Sequence, residues 1–236
     1  MYTIRPSKRK ITFKENELIP DHMPQLPLRA LFVGSSASGK TQALASMLRE
    51  EDFGYKQAFK GNIFLFSSTA SLSDPAWDGV NIKEENIWNT YREDIIKEII
   101  DDQEQIIKTK SKEKCPHSLI ILDDLICDIP TSRQSSLINL YLSGRHRCLS
   151  IIILSQVFRG CVPKGVRLNC TSMMIWKVNN MEATSIAEEQ VINKDDFIDL
   201  LETATEEDYS FLYINNQKKV NERYYLRFEQ LLQIES

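Results

Sequence analysis

The sequence predicts an α/β fold: a mainly parallel central sheet flanked by helices, with an antiparallel strand pair at its C-terminal end. Three observations predict it. Short, almost wholly apolar runs recur from residue 28 onward and alternate with stretches of helical periodicity, as in βαβ units whose strands are covered on both faces. The first run ends in Gly34-Ser35-Ser36-Ala37-Ser38-Gly39-Lys40-Thr41, the pattern G-x-x-x-x-G-K-[ST] between strand and helix. The third run ends in Asp123-Asp124 and the fourth in Ser155-Gln156, so two strand tips carry polar groups suited to phosphate chemistry.

Taken in order, residues 1–27 read as an N-terminal arm. They hold a basic cluster (Arg5, Lys8, Arg9, Lys10), a possible short strand at Lys10 to Phe13, and prolines at 20, 24 and 27. Residues 28–236 read as one P-loop domain. Its expected strands are Ala30–Val33, Ile63–Phe66, Leu119–Leu122, Leu149–Leu154 and Met173–Trp176. A helix is expected over Thr41–Glu50. A long one is expected from Glu84 to about Lys112, with Ile87, Tyr91, Ile95, Ile99 and Ile106 on one face. Leu137, Leu140, Tyr141 and Leu142 mark another, with Thr131 or Ser132 as its cap. Met181–Gln190 and Asp195–Leu201 complete the helices. Ser210–Ile214 and Arg223–Phe228 flank the turn residues Asn215 and Asn216 as the antiparallel pair.

Composition narrows the class. With 236 residues, 42% hydrophobic and 26% charged, the chain can bury a core without metal or disulfide staples. Disordered, collagen-like and coiled-coil chains are excluded. A formal net charge of −4 argues against coating nucleic acid through bulk charge. The five cysteines (115, 127, 148, 161, 170) form no CxxC pair, so five buried free thiols in a reducing compartment are expected. The longest apolar runs, such as Leu149–Leu154, are far too short to span a bilayer. Residues 1–13 lack the apolar core of a signal peptide. A soluble protein, intracellular or carried inside a particle, is expected.

The motif residues carry specific chemistry. Gly34 to Thr41 should curl so that backbone N–H groups face phosphate oxygens, helped by the positive end of the following helix. Lys40 should reach the β- and γ-phosphates of ATP, and the Thr41 hydroxyl should bind Mg²⁺. Asp123 should hold Mg²⁺, directly or through water, and Asp124 should polarise the attacking water. Gln156 at a polar strand tip favours the additional-strand, motor-type class of P-loop NTPases over the kinase–GTPase class. Its strand should lie between the first and third, so that Gln156, Lys40 and Asp123 surround one point. In Gly144-Arg145-His146-Arg147 two arginines precede that strand. Arg145 is the first candidate for an arginine finger acting across a subunit interface, and Arg147 the second.

Together, Gly34–Thr41, Leu119–Asp124, Gly144-Arg145-His146, Leu149–Gln156 and Arg167-Leu168-Asn169 resemble the FtsK/HerA superfamily of DNA-pumping ATPases. Within it they are most similar to the genome-packaging ATPases of poxviruses, other large DNA viruses and virophages. The resemblance covers about residues 28–177. It implies a Mg-dependent ATPase, assembled as a homo-oligomeric ring, that drives double-stranded DNA into a preformed capsid. A capsid or portal-vertex protein is then a partner, no membrane is involved, and the place of action is the virion or the host cytoplasm at the viral assembly site. Asp124 stands where many relatives carry Glu, one methylene longer.

Two other readings share the P-loop. A nucleotide or small-molecule kinase would carry a lid with clustered arginines after the acidic strand, and Gln156 argues against it. A non-hydrolysing ATP-binding adaptor stays open because Asp124 is short. For DNA, the candidate contacts are Arg159 and Lys164, or the alternating lysines 108, 110, 112 and 114, which would concentrate positive charge in a pore while the exterior stays acidic.

Overall fold

Nine strands form one sheet in the computed structural model, which describes residues 13–68 and 75–234. The strands are β1 (Arg29–Val33), β2 (Ile63–Ser67), β3 (Ile87–Trp88), β4 (Ser118–Asp123), β5 (Leu149–Ser155), β6 (Ser172–Ile175), β7 (Leu212–Asn215), β8 (Tyr224–Leu226) and β9 (Gln230–Leu231). Their order across the sheet is β3-β2-β4-β5-β1-β6-β7-β8-β9. From β3 to β6 every pairing is parallel, and from β6 to β9 every pairing is antiparallel. β5 therefore lies between β1 and β4, the additional-strand order. The register sets Val33 beside Ser155 and Asp123 beside both Ser67 and Leu154.

The helices are α1 (Lys40–Arg49), α2 (Tyr55–Phe59), α3 (Glu93–Lys110), α4 (Thr131–Ser143), α5 (Lys164–Arg167), α6 (Asn180–Gln190) and α7 (Lys194–Ala204). Alternation along the central strands feeds two apolar layers. Leu31, Val33, Ile151 and Ile153 point into the layer that holds Ile96 of α3, Leu137 and Tyr141 of α4, Ile186 of α6 and Phe197 of α7. Ala30, Phe32, Ile152 and Leu154 point to the opposite layer, with Leu44 and Leu48 of α1 and Phe59 of α2. Burial on both faces is why these strands read as unbroken apolar runs rather than alternating ones.

Met23 and Leu26 are buried in that second layer. Tyr55 donates a 2.7 Å hydrogen bond to the Pro24 carbonyl, and Tyr213 one of 2.8 Å to that of His22. Phe13 is buried with its ring edge-on to His117, 4.6 Å between centroids. The basic cluster and most of the Lys10–Phe13 strand candidate lie outside the described residues. Among the described residues no helix is long and apolar enough to cross a membrane.

Several expectations are corrected. The long helix begins at Glu93. Ile87 and Trp88 pair with β2 as an edge strand, and the Trp88 ring stacks on Phe66 at 4.8 Å. The cap of α4 is Pro130, with ψ 145° and no side-chain cap bond; Thr131 is already the first helical residue, so its hydroxyl does not cap the helix. Asn215 is a sheet residue rather than a turn residue, and a third antiparallel strand, β9, extends the C-terminal pair. Finally, Cys127 and Cys161 form a disulfide. Cys115, Cys148 and Cys170 are the buried free thiols.

Candidate nucleotide-binding site

The phosphate-loop pattern occupies the turn between β1 and α1. It leaves the sheet as the Gly34 N–H donates to the Ser155 carbonyl of β5 at 3.2 Å. A Cβ on Gly34 would lie 2.6 Å from the Cβ of Trp176, so a side chain there would displace the loop or the β6 tip. Gly39, the residue before α1, has φ +97°, a conformation that favours glycine. The curl leaves the first N–H groups of α1 without intrahelical partners, together with the positive end of the helix.

Lys40 is 5% exposed. Its Nζ donates to the carbonyls of Gly34 (2.8 Å) and Ser35 (2.9 Å), which tucks the ammonium against the loop. Burial lowers its pKa from the usual lysine range, and the charges of Asp124 and Asp123 act in the opposite direction. Ser38 Oγ is buried without a hydrogen-bond partner among the described residues.

Two strand tips face this lysine. Asp123 ends β4 and is 4% exposed. Its Oδ2 accepts a 3.0 Å hydrogen bond from Ser67 Oγ at the tip of β2. Asp124 follows with φ +51°, and its N–H donates to the Leu154 carbonyl at 3.2 Å. Gln156 leaves β5, and its Nε2 donates to Asp124 Oδ2 at 3.0 Å. Lys40, Asp123, Asp124 and Gln156 thus gather at the C-terminal ends of adjacent strands, where ligands bind in open α/β sheets. The disulfide ties together the segments that follow these tips, Cys127 after β4 and Cys161 after β5.

The arginines before β5 are not part of this gathering. Arg145 sits in a single turn, Gly144–Arg147, at the start of β5. The seven residues of that strand separate it from Gln156 by roughly 20 Å. Arg145 is exposed, and among the described residues its side chain hydrogen-bonds only to its neighbour His146, at 3.4 Å. Arg147 is engaged instead, donating to Glu104 of α3 at 2.6 Å. Arg167 has a structural role: it forks onto Glu189 (2.7 Å at the closest) and lies over the Phe158 ring at 5.0 Å. Arg159 is paired with Glu188 at 2.7 Å. Lys108 and Lys110 occupy the last turn of α3 and Lys112–Lys114 the next turn, where their charge complements the helix dipole.

Sequence reasoning passed over three residues that shape the site. Ser67 orients Asp123, and the only signal was a hydroxyl ending the second apolar run. Trp176 wedges against Gly34, and its Nε1 donates to the Tyr209 carbonyl at 3.1 Å. Tyr209 places its ring beside Gly39.

The donors present fit a nucleoside triphosphate with Mg²⁺. The curled loop, the buried ammonium and the orphaned Ser38 hydroxyl are a cradle for phosphate oxygens. Among the described residues no group of three or more His, Cys, Asp or Glu could hold a metal. The buried Asp123 carboxylate beside this cradle suits Mg²⁺, which is commonly bound by one or two carboxylates together with substrate phosphates.

The family described as Poxvirus A32 protein matches residues 12–228. The DNA packaging protein OPG160 of Variola virus is 29% identical over 189 residues, 74% of this chain and 62% of that protein. Its counterpart in Vaccinia virus (strain Western Reserve) has the same identity and coverage. The chain thus spans about 62% of the length of these curated relatives. Among solved structures, the genome packaging NTPase B204 from Sulfolobus turreted icosahedral virus 2 in complex with AMP has a TM-score of 0.56 at 14% identity, covering 82% of this chain and 95% of that one. B204, the DNA-packaging ATPase from Sulfolobus turreted icosahedral virus, has 0.54 at 12%, covering 81% and 93%. The pCW3 conjugation coupling protein TcpA, a monomer form with ATPγS, has 0.54 at 14%, covering 80% and 58%. These structures share the fold.

Proposed function

The chain belongs to the poxvirus A32 protein family, and from that premise we propose that it is a Mg-dependent ATPase that drives double-stranded DNA into a preformed viral capsid. The observation that carries this reading is the insertion of β5 between β1 and β4. It puts an amide, Gln156, beside the carboxylates that flank the buried Lys40.

In this reading the loop Gly34–Thr41 holds the triphosphate through its N–H groups, and Lys40 supplies the mobile positive charge. Thr41 and Asp123 would hold Mg²⁺, whose chemistry there is to neutralise β- and γ-phosphate oxygens. Ser67 fixes the Asp123 carboxylate. Asp124 accepts a proton from the attacking water, and Gln156 holds Asp124 in place and senses loss of the γ-phosphate. Arg145 cannot reach its own site from the far end of β5, so it serves a neighbouring subunit's site in a homo-oligomeric ring. A capsid or portal-vertex protein receives the ring at the viral assembly site, in the virion or the host cytoplasm.

The test is steady-state ATP hydrolysis with and without double-stranded DNA. A packaging motor turns over ATP and is stimulated by DNA. An adaptor binds ATP without turnover, and a kinase turns over only with an acceptor. Either of the last two outcomes overturns the proposal.

A further inference from the structure

The triphosphate site proposed above has two sides. The P-loop leaves β1, with the tips of β5 and β4 on one flank and those of β6 and β7 on the other. Asp123, Asp124 and Gln156 lie on the first flank, so a triphosphate with its terminal phosphate there directs its nucleoside toward the second. On that flank lies a cleft of about 290 Å³, lined by Ala37, Ser38, Trp176, Lys177, Glu206 and Tyr209 among others. That is just below the roughly 300–1,000 Å³ of sites for whole ligands, a size that suits one part of a nucleotide.

Tyr209 is the unusual member. It is 73% exposed and adopts φ +63°, a conformation that bulky L residues rarely take. Trp176 Nε1 grips its carbonyl, while Trp176 itself is 1% exposed, stacked on Phe32 and packed against Phe211. The same Trp176 abuts Gly34, so one buried indole fixes both the start of the P-loop and the tyrosine. The Tyr209 ring is set over the loop's other glycine: a Cβ on Gly39 would lie 3.3 Å from Tyr209 Cδ1 and 3.7 Å from Cγ. An exposed ring held in a strained backbone conformation stabilises no core, and such conformations cluster at ligand sites.

Charge assigns which end of the ligand enters. Glu206, Glu207 and Asp208 line the cleft against a single lining cation, Lys177, and among the described residues Glu207 alone of the three has an ion-pair partner, Arg227 at 3.4 Å. Phosphate is repelled from such a rim. An uncharged nucleobase is not, and its exocyclic amino group can donate to a carboxylate.

We propose that this cleft is the nucleobase site, with the Tyr209 ring as the stacking platform and an amino-bearing purine as its ligand. The proposal rests on the nucleotide-binding reading above and adds what selects the nucleotide. Stacking of a base on an aromatic side chain corresponds to on the order of tenfold to a hundredfold in affinity.

The test is calorimetric binding of ATP, UTP and inorganic tripolyphosphate, each with magnesium, to the full chain and to Tyr209→Ala, Tyr209→Phe and Lys40→Ala. Wild type should bind ATP at least tenfold more tightly than UTP or tripolyphosphate. Tyr209→Ala should lose at least tenfold in affinity for ATP while keeping its affinity for tripolyphosphate, which also reports that the variant is folded. Tyr209→Phe should keep the preference, and Lys40→Ala should weaken all three ligands. A Tyr209→Ala protein that retains the wild-type ratio of ATP to tripolyphosphate affinity overturns this inference alone. A wild-type protein that binds none of the ligands overturns both it and the nucleotide-binding reading.

Discussion

Gln156 Nε2 and Asp124 Oδ2 are joined by a 3.0 Å hydrogen bond across the tips of β5 and β4. The bond fixes the carboxylate that follows the buried Asp123. It also couples that carboxylate to the strand lying next to β1, so a change at one tip is felt at the other.

If Asp124 takes the proton of the attacking water, Asp124→Ala should lower kcat by about 10²- to 10⁴-fold with little change in nucleotide affinity. Gln156→Ala should also lower kcat. The double variant should fall short of the product of the two effects, because the residues share one hydrogen bond. Steady-state kinetics of the four proteins measures this coupling.

Lys40→Ala should abolish turnover and the thermal shift on adding ATP. For an intact site at a hundredfold excess over Kd, that shift corresponds to about 2.7 kcal/mol. Differential scanning fluorimetry with and without ATP and Mg²⁺ reads it directly.

Arg145 and Arg147 should separate cleanly. Arg145→Ala should bind ATP normally yet hydrolyse it about 10³- to 10⁵-fold more slowly. Mixing it with Lys40→Ala subunits, which can still donate Arg145, should restore part of the activity. Arg147→Ala removes one of two partners of Glu104, which keeps Lys108 at 3.7 Å, and should cost a little stability and no catalysis. Full activity of a monomeric Arg145→Ala protein would remove the shared-site mechanism.

His117 carries a pH prediction. Its side chain is 1% exposed, with neither ring nitrogen hydrogen-bonded among the described residues, and burial holds its pKa below the usual 6.5. Below pH 6.5 the unfolded chain takes up a proton that the folded chain refuses, so stability falls on acidification until the folded pKa is reached. The drop in Tm from pH 7.5 to 5.5 should be smaller in His117→Phe, which keeps the ring contact with Phe13.

The Cys127–Cys161 bridge closes a loop across a sequence separation of 34. Loop-closure entropy gives it about 3–4 kcal/mol at 25 °C, which Cys127→Ser should remove in denaturant titrations. Thiol counting on the unfolded protein should find three free thiols without reductant and five with it.

The sequence was most legible where one physical cause acts alone. Strands covered on both faces must be apolar throughout, so β1, β2, β4, β5 and β6 stood out. A loop that curls around phosphate needs its glycines and lysine at fixed spacing, so Gly34 to Thr41 stood out too. It was least legible where a feature depends on neighbours far along the chain. Ile87 fell in step with a helical stripe, although pairing with β2 decides its state. The partnership of Cys127 with Cys161 exists only because β4 and β5 are adjacent. Tyr209 sits in an acidic turn without periodicity, and its ring acquires a role only through the distant Gly39 and Trp176.

Both margins of the described sheet, β3 and β9, are two residues long. A margin so short offers no row of unpaired amides and carbonyls on which another chain could template a strand. In the ring proposed above, contacts between copies would then fall to helices and loops, which can loosen and re-form without rupturing a backbone ladder.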